Sequence, residues 1–297
     1  MSKLRGVKPA DVEKRLKVLF YGKSGAGKTM TSLEFPAPYI IDTEKGAQNK
    51  RYKKALEKSG GLKFETNDFE EIINEIMALL TEKHPFKTLV IDSLSNVYRY
   101  LVQKAEEKYG TKYSVHYTAA GRQIIRLCHL LERLDMNVIV ICHAKDEWDN
   151  ESITGQTFDC YRNLDYLFDL IIEVQKRGKG EKSRFGVVRK TRLDECFAEG
   201  ESFEFSYDSF AEKYGREILE KDVIPEKLAE EEKINELKSL IQILQVPKEV
   251  VDRWLQKSYS ETIEEMPENV VLKCIEFLQT KMSGEMKCEP ILRPMMN

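Results

Sequence analysis

Residues 17–29 read KVLFYGKSGAGKT, an apolar run that gives way to a glycine-rich loop ending in lysine and threonine. Gly22, Lys23, Ser24, Gly25, Ala26, Gly27, Lys28 and Thr29 fill every fixed position of GxxxxGK[ST]. The apolar run before the loop reads as a strand, and the stretch after it reads as helical. That context turns the motif into a phosphate loop, because the glycines let successive backbone N–H groups curl inward around a phosphate. Lys28 would then reach the β/γ oxygens and the Thr29 hydroxyl would hold Mg²⁺. The expected ligands are ATP and Mg²⁺. A glycine-rich turn that holds no ligand is the plain alternative.

Short apolar runs alternate with helix-period segments outward from this loop. Residues 17–21, 39–41, 88–91, 137–142 and 167–174 read as buried strands, and residues 69–80 and 121–134 carry apolar side chains at helical spacing. Such alternation implies an α/β fold with a mostly parallel central sheet flanked by helices. Residues 184–190 and 203–207 read as later strands added antiparallel at one edge. The pattern then changes. Residues 1–220 form the expected nucleotide-binding core, 221–232 (KDVIPEKLAEEE) a linker, 233–282 a small C-terminal helical domain, and 283–297 a disordered tail. From residue 226 onward there are ten basic and fourteen acidic residues, a net of −4. No internal repeat is visible.

The bulk numbers narrow the function classes. The 297-residue chain carries a formal net charge of −3, so no global basic field drives it onto nucleic acid, and any such binding needs a local patch. Its six cysteines are scattered without a CxxC pair or a Cys/His cluster, which argues against a zinc site or a disulfide frame. The basic N-terminus lacks the apolar stretch of a signal peptide, and runs such as residues 138–142 are too short to span a bilayer. A cytoplasmic protein with no membrane association is expected.

Residues 89–93 (LVIDS) form an apolar strand ending in Asp92, where a phosphate-loop protein places the carboxylate that holds Mg²⁺ through water. The next residue is Ser93. AAA+ ATPases and many helicases place a catalytic glutamate there, which counts against that class. A carboxylate is available at the end of the second strand instead, in residues 40–44 (IIDTE). Adjacent parallel strands bring their C-terminal ends to one edge of the sheet.

At this point the motifs resemble the RecA-like ATPases. The closer resemblance is to phage-encoded members, the phage nucleotide-binding protein family and the RecA-like single-strand annealing ATPases. It rests on KVLFYGKSGAGKT (17–29), LEFPAPYIIDTEKG (33–46), TLVIDSLS (88–95), YTAAGRQIIRLCHLLERLDMNVIVICHAK (117–145) and GKGEKSRFGVVRKTR (178–192), and it covers about residues 15–210. It implies a RecA-like P-loop core in which Glu44 polarises the attacking water. It also implies that His143, after the central strand, senses the γ-phosphate, and that Lys190 and Arg192 reach the nucleotide of a neighbouring subunit. The plainer readings are a solvated loop glutamate, a loop histidine and an exposed basic strand end. If the chain is phage-encoded, its place is the host cytoplasm.

The resemblance further implies a homo-oligomer, ring or filament, acting on single-stranded DNA in recombination. One expected DNA loop, residues 144–163, holds Asp146, Glu147, Asp149 and Glu151 against Lys145 and Arg162, a poor surface for phosphates. Residues 176–192, with eight basic residues and one acidic, and residues 104–122, where Lys104, Lys108, Lys112 and Arg122 alternate with Tyr109, Tyr113, His116 and Tyr117, suit single-strand binding better. The competing reading is an ATP-driven loader or assembly factor that meets a protein through its C-terminal helices. A single-strand-binding protein or another replication or recombination protein is a further class of partner expected. A small-molecule kinase leaves Glu44 and the Lys-x-Arg element unexplained.

Overall fold

The computed structural model describes residues 14–44, 50–149, 152–178 and 183–282. These fall into two compact units, one within Glu13–Pro225 and one within Glu226–Asn297.

The larger unit is built on a nine-stranded sheet with β1 at Lys17–Gly22, β2 at Pro38–Asp42, β3 at Leu62–Glu65, β4 at Thr88–Asp92, β5 at Asn137–Asp149, β6 at Ser152–Phe158, β7 at Leu170–Lys176, β8 at Arg184–Thr191 and β9 at Ser202–Glu204. The strand order is β3-β2-β4-β5-β1-β7-β8-β9, with β6 paired to β5 off this path. Strands from β3 to β7 run parallel, and β8 and β9 extend the sheet antiparallel.

Successive side chains of a strand leave opposite faces of a sheet, and β1 shows this as two cores. Leu19 and Tyr21 join Ile41, Leu89, Ile91, Val138 and Val140 beneath α3 (Phe69–Thr81), α4 (Leu94–Tyr109) and α5 (Val115–Arg133). Val18 and Phe20 face the other way, with Ile40, Val90, Ile139 and Ile172. There they meet Leu33 and Phe35, which follow α1 (Lys28–Ser32), and Phe210 of α6 (Tyr207–Tyr214). Phe20, Phe205 and Phe210 lock together with ring centroids 4.8 to 5.8 Å apart. The apolar runs carry no alternation because both faces are covered.

Helix starts follow local chemistry. Asp68 caps α3 by accepting from the N–H groups of Glu70 and Glu71 at 2.9 and 3.2 Å. Ser206 caps α6. The C-terminal end of α5 is held by the first residue of β1. Lys17 Nζ donates to the carbonyls of Leu131, Leu134 and Met136 at 2.8, 2.7 and 2.9 Å. Burial pushes this amine down towards about 7, yet three carbonyl partners require three N–H donors, which only the ammonium offers. Lys17→Met is therefore expected to leave three carbonyls without a donor and to lower stability by about 2–3 kcal/mol. Urea unfolding of the full chain reads this, and an unchanged midpoint for the larger unit refutes it.

Two sequence expectations are corrected. Residues 144–163 were expected as a loop, but β5 runs on to Asp149 and pairs antiparallel with β6, from Ala144↔Phe158 to Asp149↔Ser152. Charged side chains at 145–147 hid the strand, because a ribbon wet on both faces needs no apolar alternation. The linker expected from residue 221 begins later. Arg15 donates to the carbonyls of Lys221 and Asp222 at 3.0 and 2.7 Å, and the Ile224 N–H donates to Asp135 Oδ2 at 2.9 Å, strapping these residues to the larger unit.

Three elements carried no clear signal: α2 (Lys50–Ser59), β3 and most of α4. α2 buries none of its residues, and β3 is a short strand at the sheet's end. The smaller unit comprises α8 (Glu231–Ile243), α9 (Lys248–Lys257) and α10 (Glu268–Met282); α7 (Arg216–Glu220) belongs to the larger one. Leu237, Val250, Trp254, Val271 and Leu278 form its own core. The tail expected to be disordered, from residue 283, lies outside the described residues. Among the described residues, no helix is long and apolar enough to cross a membrane.

Candidate active site

Parallel register assembles the site at one edge of the sheet. Gly22 stands opposite His143, Asp42 opposite Asp92, and Asp92 opposite Ile141. Four strands thus deliver the phosphate loop, Asp92, His143 and the residues after Asp42 to one cleft of about 880 Å³.

The phosphate loop is shaped by its glycines. Gly27 has φ 107°, in the region that favours glycine. Gly22 passes so close to β7 that a Cβ there would stand 2.3 Å from the Val174 carbonyl oxygen. Lys28 is buried, and its Nζ donates to the carbonyls of Gly22 and Lys23 at 2.7 and 3.1 Å. Burial lowers its pKa, and the charges of Asp92 and Glu44 oppose that shift.

The Thr29 hydroxyl donates to Asp92 Oδ2 at 2.6 Å. Burial pushes Asp92 up to about 6; the Thr29 hydrogen bond and Lys28 lower it, while Glu44 and Asp42 raise it. A hydroxyl and a desolvated carboxylate in contact, beside a buried ammonium, fit a nucleotide polyphosphate with a hard divalent cation. The cation would be held by Thr29 and Asp92, and the polyphosphate by Lys28 and the loop amides.

Glu44 and His143 come together. His143 Nε2 hydrogen-bonds Glu44 Oε1, and the Ser93 hydroxyl donates to the same oxygen at 2.5 Å. Ser93 Oγ is also 3.3 Å from His143 Nε2. Burial raises the Glu44 pKa, but the hydrogen bonds from Ser93 and His143 and the charges of His143 and Lys28 outweigh it, so Glu44 lies below the usual carboxylate range. Thr43 ties the strand ends beneath: its N–H donates to the Asp92 carbonyl at 2.8 Å, its hydroxyl donates to the Ser93 carbonyl at 3.0 Å, and the Ser93 N–H donates back to that hydroxyl at 2.9 Å. The Ser95 hydroxyl accepts from the His143 N–H at 2.9 Å.

A family model described as an AAA domain matches residues 14–193, from the strand before the phosphate loop to the end of β8. The chain belongs to this AAA domain family. A search of curated proteins returned no match. The AAA domain is a nucleotide-binding, P-loop NTPase-type unit, and the α/β sheet agrees with that. The match supports a nucleotide-binding P-loop domain and leaves the contrast drawn at Ser93 with AAA+ ATPases as an expectation. Ser93 still leaves no carboxylate after Asp92, and its hydroxyl instead fastens the glutamate that β2 supplies. The sequence signal for Ser93 was its place next to Asp92; Thr43 and Ser95 had none, because their roles depend on the pairing of strands.

Lys190 and Arg192 lie outside the AAA domain's own cleft. β8 starts at Arg184, opposite Lys176, and runs back to Thr191, opposite Leu170, so the basic stretch 176–192 is split between the two ends of the sheet. Lys190 Nζ donates to the carbonyls of Asp165 and Phe168, Arg192 pairs with Asp169 at 3.1 Å, and Arg189 donates to Glu173. The described cations of this stretch thus do not lie side by side, as the charge count had suggested. At the α4–α5 corner the aromatic residues are exposed: Tyr113 at 96%, Tyr109 at 53% and Tyr117 at 51%, with Lys108 and Lys112 beside them and His116 buried.

Proposed function

We propose that the protein is a Mg²⁺-dependent ATPase of RecA-like type that assembles into an oligomer on single-stranded DNA and acts in recombination or strand annealing. The observation that carries the reading is the Glu44–Ser93–His143 cluster beside the Thr29–Asp92 pair. A carboxylate held below its usual range is a weak proton acceptor, but it is ionised at neutral pH and oriented by two donors. That suits orientation of a water, since phosphoryl transfer through a loose transition state asks for positioning and charge stabilisation more than base strength. His143, bonded to the same carboxylate, would report occupancy of the γ-phosphate position to Glu44. When bound, Mg²⁺ would neutralise charge on the β/γ oxygens.

Lys190 and Arg192, away from their own cleft, are proposed to serve a neighbour's site. The exposed tyrosines and lysines at the α4–α5 corner suit stacking and charge contacts with single-stranded DNA. A second reading, an ATP-driven loader or assembly factor, draws on the acidic β5–β6 ribbon and on the C-terminal helices with a core of their own.

ATP turnover with single-stranded oligonucleotide at two salt concentrations separates these readings. DNA-stimulated turnover that weakens with salt is expected. Arg192→Ala should lower turnover per subunit on the order of 10³-fold. Mixing it with Glu44→Gln protein should recover some activity, because some mixed interfaces pair an intact Glu44 with an intact Arg192. Turnover indifferent to DNA, flat with protein concentration and without rescue on mixing would favour the loader.

A further inference from the structure

Two of the cations that line the cleft face each other across a strand pair and have no part in this reading. Lys176 and Arg184 form a cross-strand pair where β7 ends and β8 begins, and both line the cleft. Arg184 is only 9% exposed. Its side chain lies over the phosphate loop: a Cβ at Gly27 would stand 2.6 Å from Arg184 Cδ and 2.6 Å from Nε.

The other cations on and just after β8 are engaged within the chain, Arg189 by Glu173, Lys190 by two carbonyls and Arg192 by Asp169. Among the described residues, the Arg184 guanidinium has no carboxylate or carbonyl partner. The residue is mostly buried, but none of its guanidinium nitrogens is sealed off without a partner, so the head opens on the cleft it lines, and its planar fork matches the spacing of phosphate oxygens. The cleft's acids, Asp92 on β4 and Asp42 and Glu44 at and just after the end of β2, sit two and three strands away from β1 in the sheet order, whereas Arg184 is on β8, beyond β7 on the other side of β1.

We propose that Arg184 is a phosphate ligand in cis, donating to the polyphosphate of the nucleotide held by its own subunit's phosphate loop, with Lys176 beside it as a second charge. The role rests on the ATP reading above and differs from that of Lys190 and Arg192, which would act across an interface. It gives Gly27 two reasons to be glycine: its positive φ, and the space that the Arg184 side chain occupies.

The test is equilibrium binding of MgATP and MgADP to the full chain, at a protein concentration low enough that subunits are separate. Arg184→Met keeps an unbranched stem over Gly27 and removes every donor; Arg184→Lys keeps the charge and loses the fork. Arg184→Met is expected to weaken both nucleotides about tenfold or more, with Arg184→Lys intermediate. The unfolding temperature without nucleotide should hold, while the rise on adding MgATP shrinks. Unchanged affinity in either variant, or a lower unfolding temperature with the nucleotide-dependent rise intact, would overturn the proposal and leave Arg184 as packing. Failure of the wild-type chain to bind MgATP would overturn the ATPase reading itself, and this assignment with it. If Arg184→Met does not fold, Arg184→Lys decides alone, since loss of the fork should still weaken binding by about threefold.

Discussion

Lys28→Ala should abolish measurable ATP turnover and weaken MgATP binding by at least about 10²-fold. The ammonium is the one cation of the phosphate loop already turned inward, fixed by the Gly22 and Lys23 carbonyls. A charge-assisted contact in a desolvated site contributes far more than it would in water, and loss of one preorganised donor lowers turnover on the order of 10²–10³-fold even where binding survives. A second loss adds to the first. Lys28 is among the groups that hold the Asp92 pKa down, so without it Asp92 is harder to ionise and a poorer partner for a divalent cation. Calorimetric titration with MgATP checks this, and wild-type affinity in a folded variant would remove the basis for a nucleotide site at this loop.

Glu44→Gln should separate binding from chemistry. The amide oxygen can still accept from Ser93, now 2.5 Å from Glu44 Oε1, and from His143, so the cluster keeps its shape while the charge disappears. MgATP affinity should stay near wild type, because the Glu44 charge also raises Asp92 and its removal eases ionisation of that residue. Turnover should fall on the order of 10²–10⁴-fold. Single-turnover hydrolysis of bound ATP is the readout. A rate equal to wild type would show that Glu44 does not orient the water, and would redirect attention to His143.

Much of this site was written in the chain in a form that can be read without coordinates. The phosphate loop is local chemistry: eight consecutive residues whose backbone freedom and side-chain types are set by the motif. Asp92 ends an apolar strand and Glu44 follows the end of another by two residues, and parallel strands carry their ends to one edge, so their convergence followed once the strands were recognised. His143 was legible for the same reason, one residue beyond its strand's buried stretch. Ser93 was read only as a missing carboxylate, because its hydrogen bond to Glu44 crosses from β4 to the loop after β2 and has no local signature.

By itself, then, the sequence determined the phosphate loop, the α/β class and the places of the buried strands along the chain, since these depend on periodicity and on residues close together in the chain. Tertiary structure alone decided how the later basic residues are shared out. Residues 176–192 read as one positive run, but antiparallel pairing folds that run back along the sheet. Arg184 is left over Gly27 in the cleft, and Lys190 and Arg192 are carried to the opposite end. The β5–β6 ribbon was hidden for a related reason. Its stability comes from pairing between strands, while its charged, two-sided exposure removes the alternation from which a strand is read. Partner strand and register are properties of contacts distant in sequence, and no local pattern encodes them.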